Sequence, residues 1–493
     1  MADDLGFSDL GCYGSEIQTP NLDRLAREGL RMTQFYNTAK CTQSRAMMLS
    51  GLYHQQTDNL TRRDNNVTLA EMLQTAGYRT IMSGKWHLGN WESERDVPNN
   101  RGFDRYFGFL NGASNFFTGR DYGSDQNYMR LDTAVYEAPD DFYTTDQFTD
   151  FAIEEVAQAA RQSRPFFLYL AYNAPHYPLQ APQENIEKYR GKYAMGWDSL
   201  RQHRYRRMQQ LKIIDPHWPL SPRDTLAPAW ASLKTAQQQK EQALMEVYAA
   251  MIDRLDQQIG RLLDQLDASG VADSTLIMFL SDNGGCPFDA NRSPLKPPGP
   301  ASSSRTYDTE WAQVSNTPFR HYKQWIHEGG IATPMIVRWP GEIDANTLSS
   351  VPGQILDLMP TLLEAAGAAY PQQFKGRTLL PAEGVSLLPG WRGGTLRREQ
   401  PMFWEYEGSR AVREGDWKLV GERGRPWELY NLREDRTEMD NRIDQNAQRA
   451  DKMINKYDDW AQRIGGRTTE AAMQMLVNQQ DRYLYEDEVR ERP

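Results

Sequence analysis

The chain has 493 residues, of which 39% are hydrophobic and 25% are charged, a balance typical of folded globular proteins that excludes long disorder. Its formal net charge of -10 disfavours nucleic acid or an anionic membrane as a general partner, so an anionic substrate would need a local cationic pocket. No apolar run approaches the roughly 20 residues of a membrane helix, and no membrane span is predicted. The three cysteines, Cys12, Cys41 and Cys286, cannot all pair, so at least one thiol has another role.

Helical and extended segments alternate along the first part of the chain. Each of three helical patterns is followed by a short apolar run, and one further helical pattern precedes them. The helical segments are 19–30, 68–76, 146–161 and 241–266, and the extended segments are 78–82, 166–172 and 275–280. This alternation predicts an α/β fold with a large, mainly parallel sheet sandwiched by helices.

The sequence changes character after these units. Residues 173–240 and 286–316 show little periodicity and are predicted to form long loops and irregular helices that shape a substrate pocket. Short alternating segments follow at 403–406, 410–413, 417–420 and 427–432, closed by a helix at 443–463. We therefore predict a catalytic α/β domain at 1–371 and a smaller C-terminal α+β subdomain of antiparallel strands and one helix at 372–493.

The first residues, Met1-Ala2-Asp3-Asp4, read as the end of a buried strand. We expect the catalytic domain to lack its first strand, and we expect this loss to destabilise the sheet and loosen a metal site at its end. An export signal cleaved ahead of this start would make the protein periplasmic or secreted in a bacterium. A cytoplasmic location is the alternative.

Cys41 is the strongest candidate nucleophile. It precedes a stretch of good helix formers, where free amide groups and the helix dipole favour an anionic group, and Arg45 lies one turn further on. An isolated pair of this kind is more often a buried cysteine beside a surface arginine. The catalytic interpretation therefore depends on the other residues.

Two pairs of oxygen-bearing side chains stand at predicted strand ends. Asp3 and Asp4 form one pair, and Asp282 and Asn283 form the other. Each pair alone could be turn or cap chemistry, but adjacent carboxylates at a buried edge repel unless they are neutralised. If the two strand ends meet, these ligands suit a hard divalent cation.

Cationic and acid–base groups are spread over further loops that follow strands. Lys85 and His87 share one strand end, His176 follows another, and Lys323 precedes the turn at 328–330. Ester hydrolysis with an anionic leaving group needs neutralised oxyanions, an activated nucleophile and a proton donor for the departing oxygen. These residues supply all three functions.

Taken in order, these segments resemble the sulfatase family, and the resemblance covers nearly the whole chain. The matching motifs are Asp3-Asp4-Leu5-Gly6, Thr19-Pro20-Asn21-Leu22-Asp23, the stretch from Cys41 to Gly51, Gly84-Lys85-Trp86-His87, Ser281-Asp282-Asn283-Gly284, Glu328-Gly329-Gly330-Ile331 and Glu428-Leu429-Tyr430-Asn431-Leu432. The resemblance implies an alkaline phosphatase-like fold and an arylsulfatase-like hydrolase of the alkaline phosphatase superfamily.

The resemblance also implies a modified nucleophile and a metal. A formylglycine-generating enzyme or an anaerobic maturation enzyme would oxidise Cys41 to formylglycine. One hydroxyl of its hydrate would attack sulfur to give a sulfated enzyme, and the second would expel sulfate. Calcium, with magnesium as the alternative, would be bound by Asp3, Asp4, Asp282 and Asn283 together with residue 41.

By the same resemblance, Arg45 would hold the hydrated aldehyde, and Lys85 and Lys323 would bind the sulfate group. His87 would assist the elimination step. His176, with Lys323, would protonate or stabilise the leaving oxygen and contact the substrate. Gln43 departs from the family, in which this position usually carries Pro or Ala, and this departure bears on how efficiently Cys41 is converted.

Two alternatives stay open. One is a phosphate or phosphonate monoester hydrolase of the same superfamily, because tetrahedral oxyanions resemble one another. The other is an inactive protein of the sulfatase fold that only binds a sulfated ligand. The predicted substrate is a sulfated small molecule or a sulfated sugar.

Overall fold

A computed structural model of the chain describes residues 1–62, 64–91 and 93–475. The α-helices are α1 (Pro20–Arg27), α2 (Cys41–Ser50), α3 (His54–Thr57), α4 (Leu69–Thr75), α5 (Thr144–Arg161), α6 (Gln183–Glu187), α7 (Gly196–Gln210), α8 (Thr235–Ala268), α9 (Asp308–Ser315), α10 (Glu328–Ile331), α11 (Leu358–Ala365), α12 (Leu388–Trp391), α13 (Ala447–Ile464) and α14 (Thr469–Met473). The strands are β1 (Leu30–Tyr36), β2 (Arg79–Gly84), β3 (Arg105–Phe109), β4 (Met129–Leu131), β5 (Ala134–Val135), β6 (Phe166–Ala171), β7 (Ile277–Leu280), β8 (Ala332–Arg338), β9 (Thr347–Ser349), β10 (Gly353–Gln354), β11 (Gln373–Phe374), β12 (Arg377–Thr378), β13 (Met402–Tyr406), β14 (Ser409–Glu414), β15 (Trp417–Gly421) and β16 (Glu428–Asn431).

Two five-stranded sheets lie edge to edge and are joined by the first residues of the chain. One has the order β5-β4-β3-β2-β6, and the other has the order β10-β1-β8-β7 with β9 beside β1. The amide of Ala2 donates to the carbonyl oxygen of Leu280 at 2.8 Å, and the amide of Tyr172 donates to that of Met1 at 3.0 Å. Residues 1–3 therefore connect β6 to β7 and place Asp3 and Asp4 at the centre of the combined sheet.

The predicted α/β fold is confirmed, and the sheet is mixed. Its central part is parallel, because β2 pairs in parallel with β3 and β6. In contrast, β8 runs antiparallel to β1 and β7. The segment between β7 and β8 begins and ends at the same edge of the sheet, because the amide of Gly284 donates to the carbonyl oxygen of Gly330 at 3.0 Å. Strand β8 therefore starts beside the end of β7 and runs antiparallel to it.

Helices cover both faces of the sheet. Successive side chains of a strand point to opposite faces and so belong to different hydrophobic cores. Leu170 of β6 belongs to the core that contains α5 and α8, whereas Tyr169 belongs to the core that contains α2 and α4. The predicted helix at 241–266 is part of α8. The region predicted as loops and irregular helices also contains α7, whose buried face includes Trp197, Leu200 and Met208.

The C-terminal part contains the predicted antiparallel sheet, in the order β13-β14-β15-β16, and the predicted helix, which is α13. Trp460 of α13 stacks on Phe403 of β13 with ring centroids 4.9 Å apart. The indole nitrogen of Trp404 donates to the carbonyl oxygen of Asn37 at 2.8 Å, which ties this sheet to the segment before α2. The domain boundary at 371/372 stays a prediction, and residues 476–493 of the second domain lie outside the described residues. Within the described ranges, every helix is too short or too polar to span a bilayer.

Candidate active site

Every site residue predicted from the sequence lies in one connected network at the carboxyl edge of the central strands. The members are Asp3, Asp4, Cys41, Arg45, Lys85, His87, His176, Asp282, Asn283 and Lys323. Gly84 ends β2 with a φ of 108°, and a Cβ there would lie 2.0 Å from the carbonyl oxygen of Ala171. Only glycine fits at this close approach between β2 and β6. Lys85 and His87 follow Gly84 and extend into the network.

Cys41 is the first residue of α2 and is buried. Its Sγ lies 3.4 Å from Nδ1 of His87. Burial raises the pKa of the Cys41 thiol above its usual value, although Lys85 and Lys323 oppose this shift. An unmodified thiol at this position is therefore mostly protonated near neutral pH and is a poor nucleophile.

Arg45 is fully buried one turn into α2 and joins three elements. Its Nε and Nη2 donate to the same Asp282 oxygen at 3.0 and 2.8 Å. Its Nη1 donates to the carbonyl oxygen of Lys85 at 2.8 Å and to the hydroxyl of Tyr169 at 3.4 Å. The guanidinium therefore fixes α2 against the ends of β2 and β7.

Three buried carboxylates converge beside Cys41. Ligand atoms of Asp3, Cys41 and Asp282 lie within 4.8 Å of one another, and so do those of Asp3, Asp4 and His176. Burial and the charge of Asp3 raise the pKa of Asp282 to about 6, against the effect of Arg45. Such a cluster needs positive charge to remain ionised.

The donor set fits a hard divalent cation. Among the described residues, Oδ1 of Asp3 and Oδ1 of Asn283 are buried and accept no hydrogen bond. Nδ2 of the Asn283 side chain donates to Oδ1 of Asp4 at 2.7 Å, so the side chains of the two strand ends meet, as predicted. Buried oxygens without a donor are the ligands that calcium or magnesium would use.

Two lysines bring positive charge to the carboxylates. Nζ of Lys85 lies 2.7 Å from Oδ2 of Asp3, and Nζ of Lys323 lies 2.8 Å from Oδ1 of Asp4. Burial disfavours the charged form of Lys323, but the adjacent Asp4 holds its pKa well above the usual value. Nζ of Lys323 also lies 5.5 Å from the ring centroid of Phe288. Both side chains are positioned cations that an anionic group could contact.

The two histidines contact different members of the network. His87 has a left-handed backbone with φ 55°, and its ring nitrogen Nε2 lies 3.0 Å from the Thr42 hydroxyl. Nδ1 of His176 donates to the carbonyl oxygen of Tyr177 at 2.6 Å, which leaves Nε2 facing Asp4 at 3.5 Å. Burial lowers the pKa of His176 to about 3 although Asp4 opposes the shift, and burial with Lys85 lowers that of His87 well below its usual value.

Sequence reasoning missed several neighbours of the network. Thr42 contacts His87, Tyr169 contacts Arg45, and Phe288 lies under both Lys40 and Lys323. Tyr169 sits within an apolar strand pattern, and Phe288 within a loop that carries no periodicity. Of these residues, only Thr42 carried a signal in the sequence, because it follows the candidate nucleophile Cys41 directly.

Comparison with known families identifies this arrangement. The family model described as Sulfatase matches residues 1–368, and the model described as N-sulphoglucosamine sulphohydrolase, C-terminal, matches residues 319–460. The first match includes every residue of the network. The second spans the end of the large sheet and the antiparallel C-terminal sheet.

Individual relatives agree with the family models. An uncharacterized sulfatase of Schizosaccharomyces pombe is 35% identical, covering 90% of this chain and 88% of its own length. An arylsulfatase of Klebsiella aerogenes is 34% identical, covering 78% of this chain and 90% of its own. The crystal structure of Ps i-CgsB in complex with k-i-k-neocarrahexaose superimposes with a TM-score of 0.70 at 26% identity, covering 94% of this chain and 91% of its own. The chain therefore belongs to the sulfatase family and is a sulfuric ester hydrolase with an alkaline phosphatase-like fold.

Proposed function

We propose that the chain is an arylsulfatase-like enzyme that uses formylglycine made from Cys41, together with a calcium ion. The observation that carries the proposal is the position of Cys41. It begins a buried helix, and its Sγ shares one 4.8 Å cluster with oxygens of Asp3 and Asp282. A nucleophile at this position would act where carboxylates, cations and imidazoles already converge.

The state of the thiol favours modification before catalysis. Because burial raises the pKa of Cys41, the residue has little thiolate to offer near neutral pH. A hydrated aldehyde at position 41 would supply two hydroxyls, one as the nucleophile for sulfur and one to drive the release of sulfate. The partner that makes it would be a formylglycine-generating enzyme or an anaerobic maturation enzyme.

Calcium would be held by the carboxylates of Asp3, Asp4 and Asp282 and by the amide oxygen of Asn283. The oxygens of Asp3 and Asn283 that have no donor among the described residues support this assignment. The bound ion supplies positive charge that stabilises oxyanions. Magnesium is the alternative, because both ions take oxygen ligands.

The remaining side chains have distinct proposed roles. Lys85 and Lys323 bind the sulfate oxygens and neutralise negative charge on them. Arg45 keeps Asp282 in one orientation through its paired hydrogen bonds and would also hold the hydrated residue 41. His87, 3.4 Å from Sγ of Cys41, moves the proton of the second hydroxyl during sulfate release.

His176 serves the leaving group. Its Nδ1 donates to the Tyr177 carbonyl oxygen, so Nε2 is the nitrogen that faces the leaving group. The negative charge of a bound sulfate ester would favour the protonated ring, from which Nε2 would donate a proton to the departing oxygen, with Lys323 close by. The substrate is a sulfated small molecule or a sulfated sugar. A periplasmic or secreted location belongs to the same proposal.

The decisive test combines chemistry and mass. The protein is co-expressed with a formylglycine-generating enzyme, the mass of the Cys41 peptide is measured, and turnover of matched nitrophenyl sulfate and phosphate esters is compared. We expect the aldehyde mass, faster turnover of the sulfate ester, and loss of activity in Cys41→Ala. Aldehyde without turnover of aryl or sugar sulfates would favour a protein that only binds its ligand, and faster phosphate turnover would favour a phosphatase.

A further inference from the structure

We propose a second metal site, for a divalent transition metal such as zinc, formed by His321, His327 and Glu422. Ligand atoms of these three residues lie within 4.8 Å of one another. None of them belongs to the network around Cys41. The proposal is independent of the proposed reaction, because it concerns the loop that precedes α10 and the end of β15.

The three side chains face one another closely. The rings of His321 and His327 have centroids 4.6 Å apart, and Nε2 of His321 lies 3.7 Å from a Glu422 oxygen. Two imidazoles and one carboxylate form a common zinc ligand set that leaves a coordination position open. His321 and Glu422 are only partly buried, so small rotations can bring their ligand atoms to coordinating distance.

A buried nitrogen without a partner supports the site. His327 is 1% exposed, and within the described part of the chain its Nδ1 makes no hydrogen bond. Its Nε2 lies 3.4 Å from both Arg320 and Glu428, and the charge of Arg320 is compensated by Glu428 at 3.6 Å.

The site opens onto a cavity, and the backbone of His321 within it is strained. A cavity of about 210 Å³ is lined by His321, Glu422 and Trp325 among others. His321 has a left-handed φ of 65°, and its ring stacks on Trp325 at an interplanar angle of 2°. Such a backbone persists only where its surroundings hold it, and it is often found at ligand sites. A bound metal would fix the loop that carries Lys323 to the C-terminal sheet.

Crystals of the whole protein soaked in zinc chloride test the assignment by anomalous scattering at the zinc edge. We expect a peak between His321, His327 and Glu422. A map whose zinc peaks lie only at Asp3, Asp4 and Asp282, or which has no protein-bound peak, would overturn the proposal. This result does not depend on whether any variant folds, and it is independent of sulfatase activity.

A zinc titration in solution gives a second, quantitative test. We expect His327→Gln to weaken one class of zinc binding by at least about tenfold. The matched control is His217→Gln, which changes a histidine that is 91% exposed and leaves the proposed ligands intact. Equal zinc affinity of wild type, His327→Gln and His217→Gln would count against the site.

Discussion

Arg45 and Asp282 form a paired ion contact between the start of α2 and the end of β7, with both side chains fully buried. Two guanidinium nitrogens reach the same carboxylate oxygen at 2.8 and 3.0 Å. A third reaches the carbonyl oxygen of Lys85. This geometry orients the residue-41 end of α2 relative to the proposed calcium ligands.

Arg45→Lys tests this relationship. Lysine keeps the charge but cannot make the paired contact, so we expect a loss of kcat of about 100-fold or more and a lower midpoint of thermal unfolding. Removing one partner of a buried ion pair lowers the free energy of unfolding by about 3–5 kcal/mol. The charge of the lysine would recover part of this loss. Steady-state kinetics and calorimetry measure the two effects.

The matched control is Arg261→Lys, in a half-exposed pair with Asp150. Exposed pairs contribute about 0–1 kcal/mol, so this variant should behave like wild type. Wild-type kcat in Arg45→Lys would show that the paired geometry is unnecessary.

Gln43→Pro tests the departure from the family motif. Gln43 is the third residue of α2 and is buried, and its Oε1 has no partner among the described residues. A proline in the first turn removes no intrahelical hydrogen bond, so the helix tolerates it. We expect a larger fraction of Cys41 to become formylglycine during co-expression, as measured by peptide mass. Gln74→Ala, on the exposed end of α4, should leave that fraction unchanged, and an unchanged fraction in Gln43→Pro would show that Gln43 does not limit conversion.

The sequence predicts the polar network because its members follow strands. Asp3, Lys85 and Asp282 each lie within three residues of the end of a predicted extended segment, and parallel strand ends share an edge. Tyr169 could not be found in this way, since its hydroxyl reaches Arg45 from within a strand that reads as uniformly apolar. The sequence predicts only loops and irregular helices where α7 lies, because the buried face of α7 mixes apolar side chains with Arg204, which pairs with Asp9. Burial of paired charges is a tertiary property that periodicity does not record.

Removal of divalent ions should weaken both activity and stability. A ligand that binds only the folded state, at a free concentration 100 times its Kd, raises the free energy of unfolding by about 2.7 kcal/mol. We therefore expect EGTA to lower the unfolding midpoint by a few degrees and to reduce turnover, with recovery on adding calcium. Recovery with magnesium alone would favour the alternative ion.

Asp282→Asn is the control for this experiment, because it weakens the proposed site without adding bulk. Its unfolding midpoint should respond little to EGTA. An identical midpoint shift in wild type and Asp282→Asn would place the responsive ion elsewhere, and no shift in wild type would argue against bound calcium in the purified protein.

His176→Gln separates the proposed leaving-group role from a merely structural one. If Nε2 donates a proton to the departing oxygen, its loss should matter most for substrates whose leaving oxygen is basic. We expect kcat/KM to fall by about 100-fold or more for alkyl or sugar sulfates, and by far less for nitrophenyl sulfate, whose leaving group needs little protonation. A plot of log kcat/KM against leaving-group pKa should therefore be steeper for His176→Gln than for wild type. His203→Gln, on an exposed position of α7, should keep the wild-type slope. An equal loss across all leaving groups in His176→Gln would show that His176 positions Asp4, 3.5 Å away, and does not donate the proton.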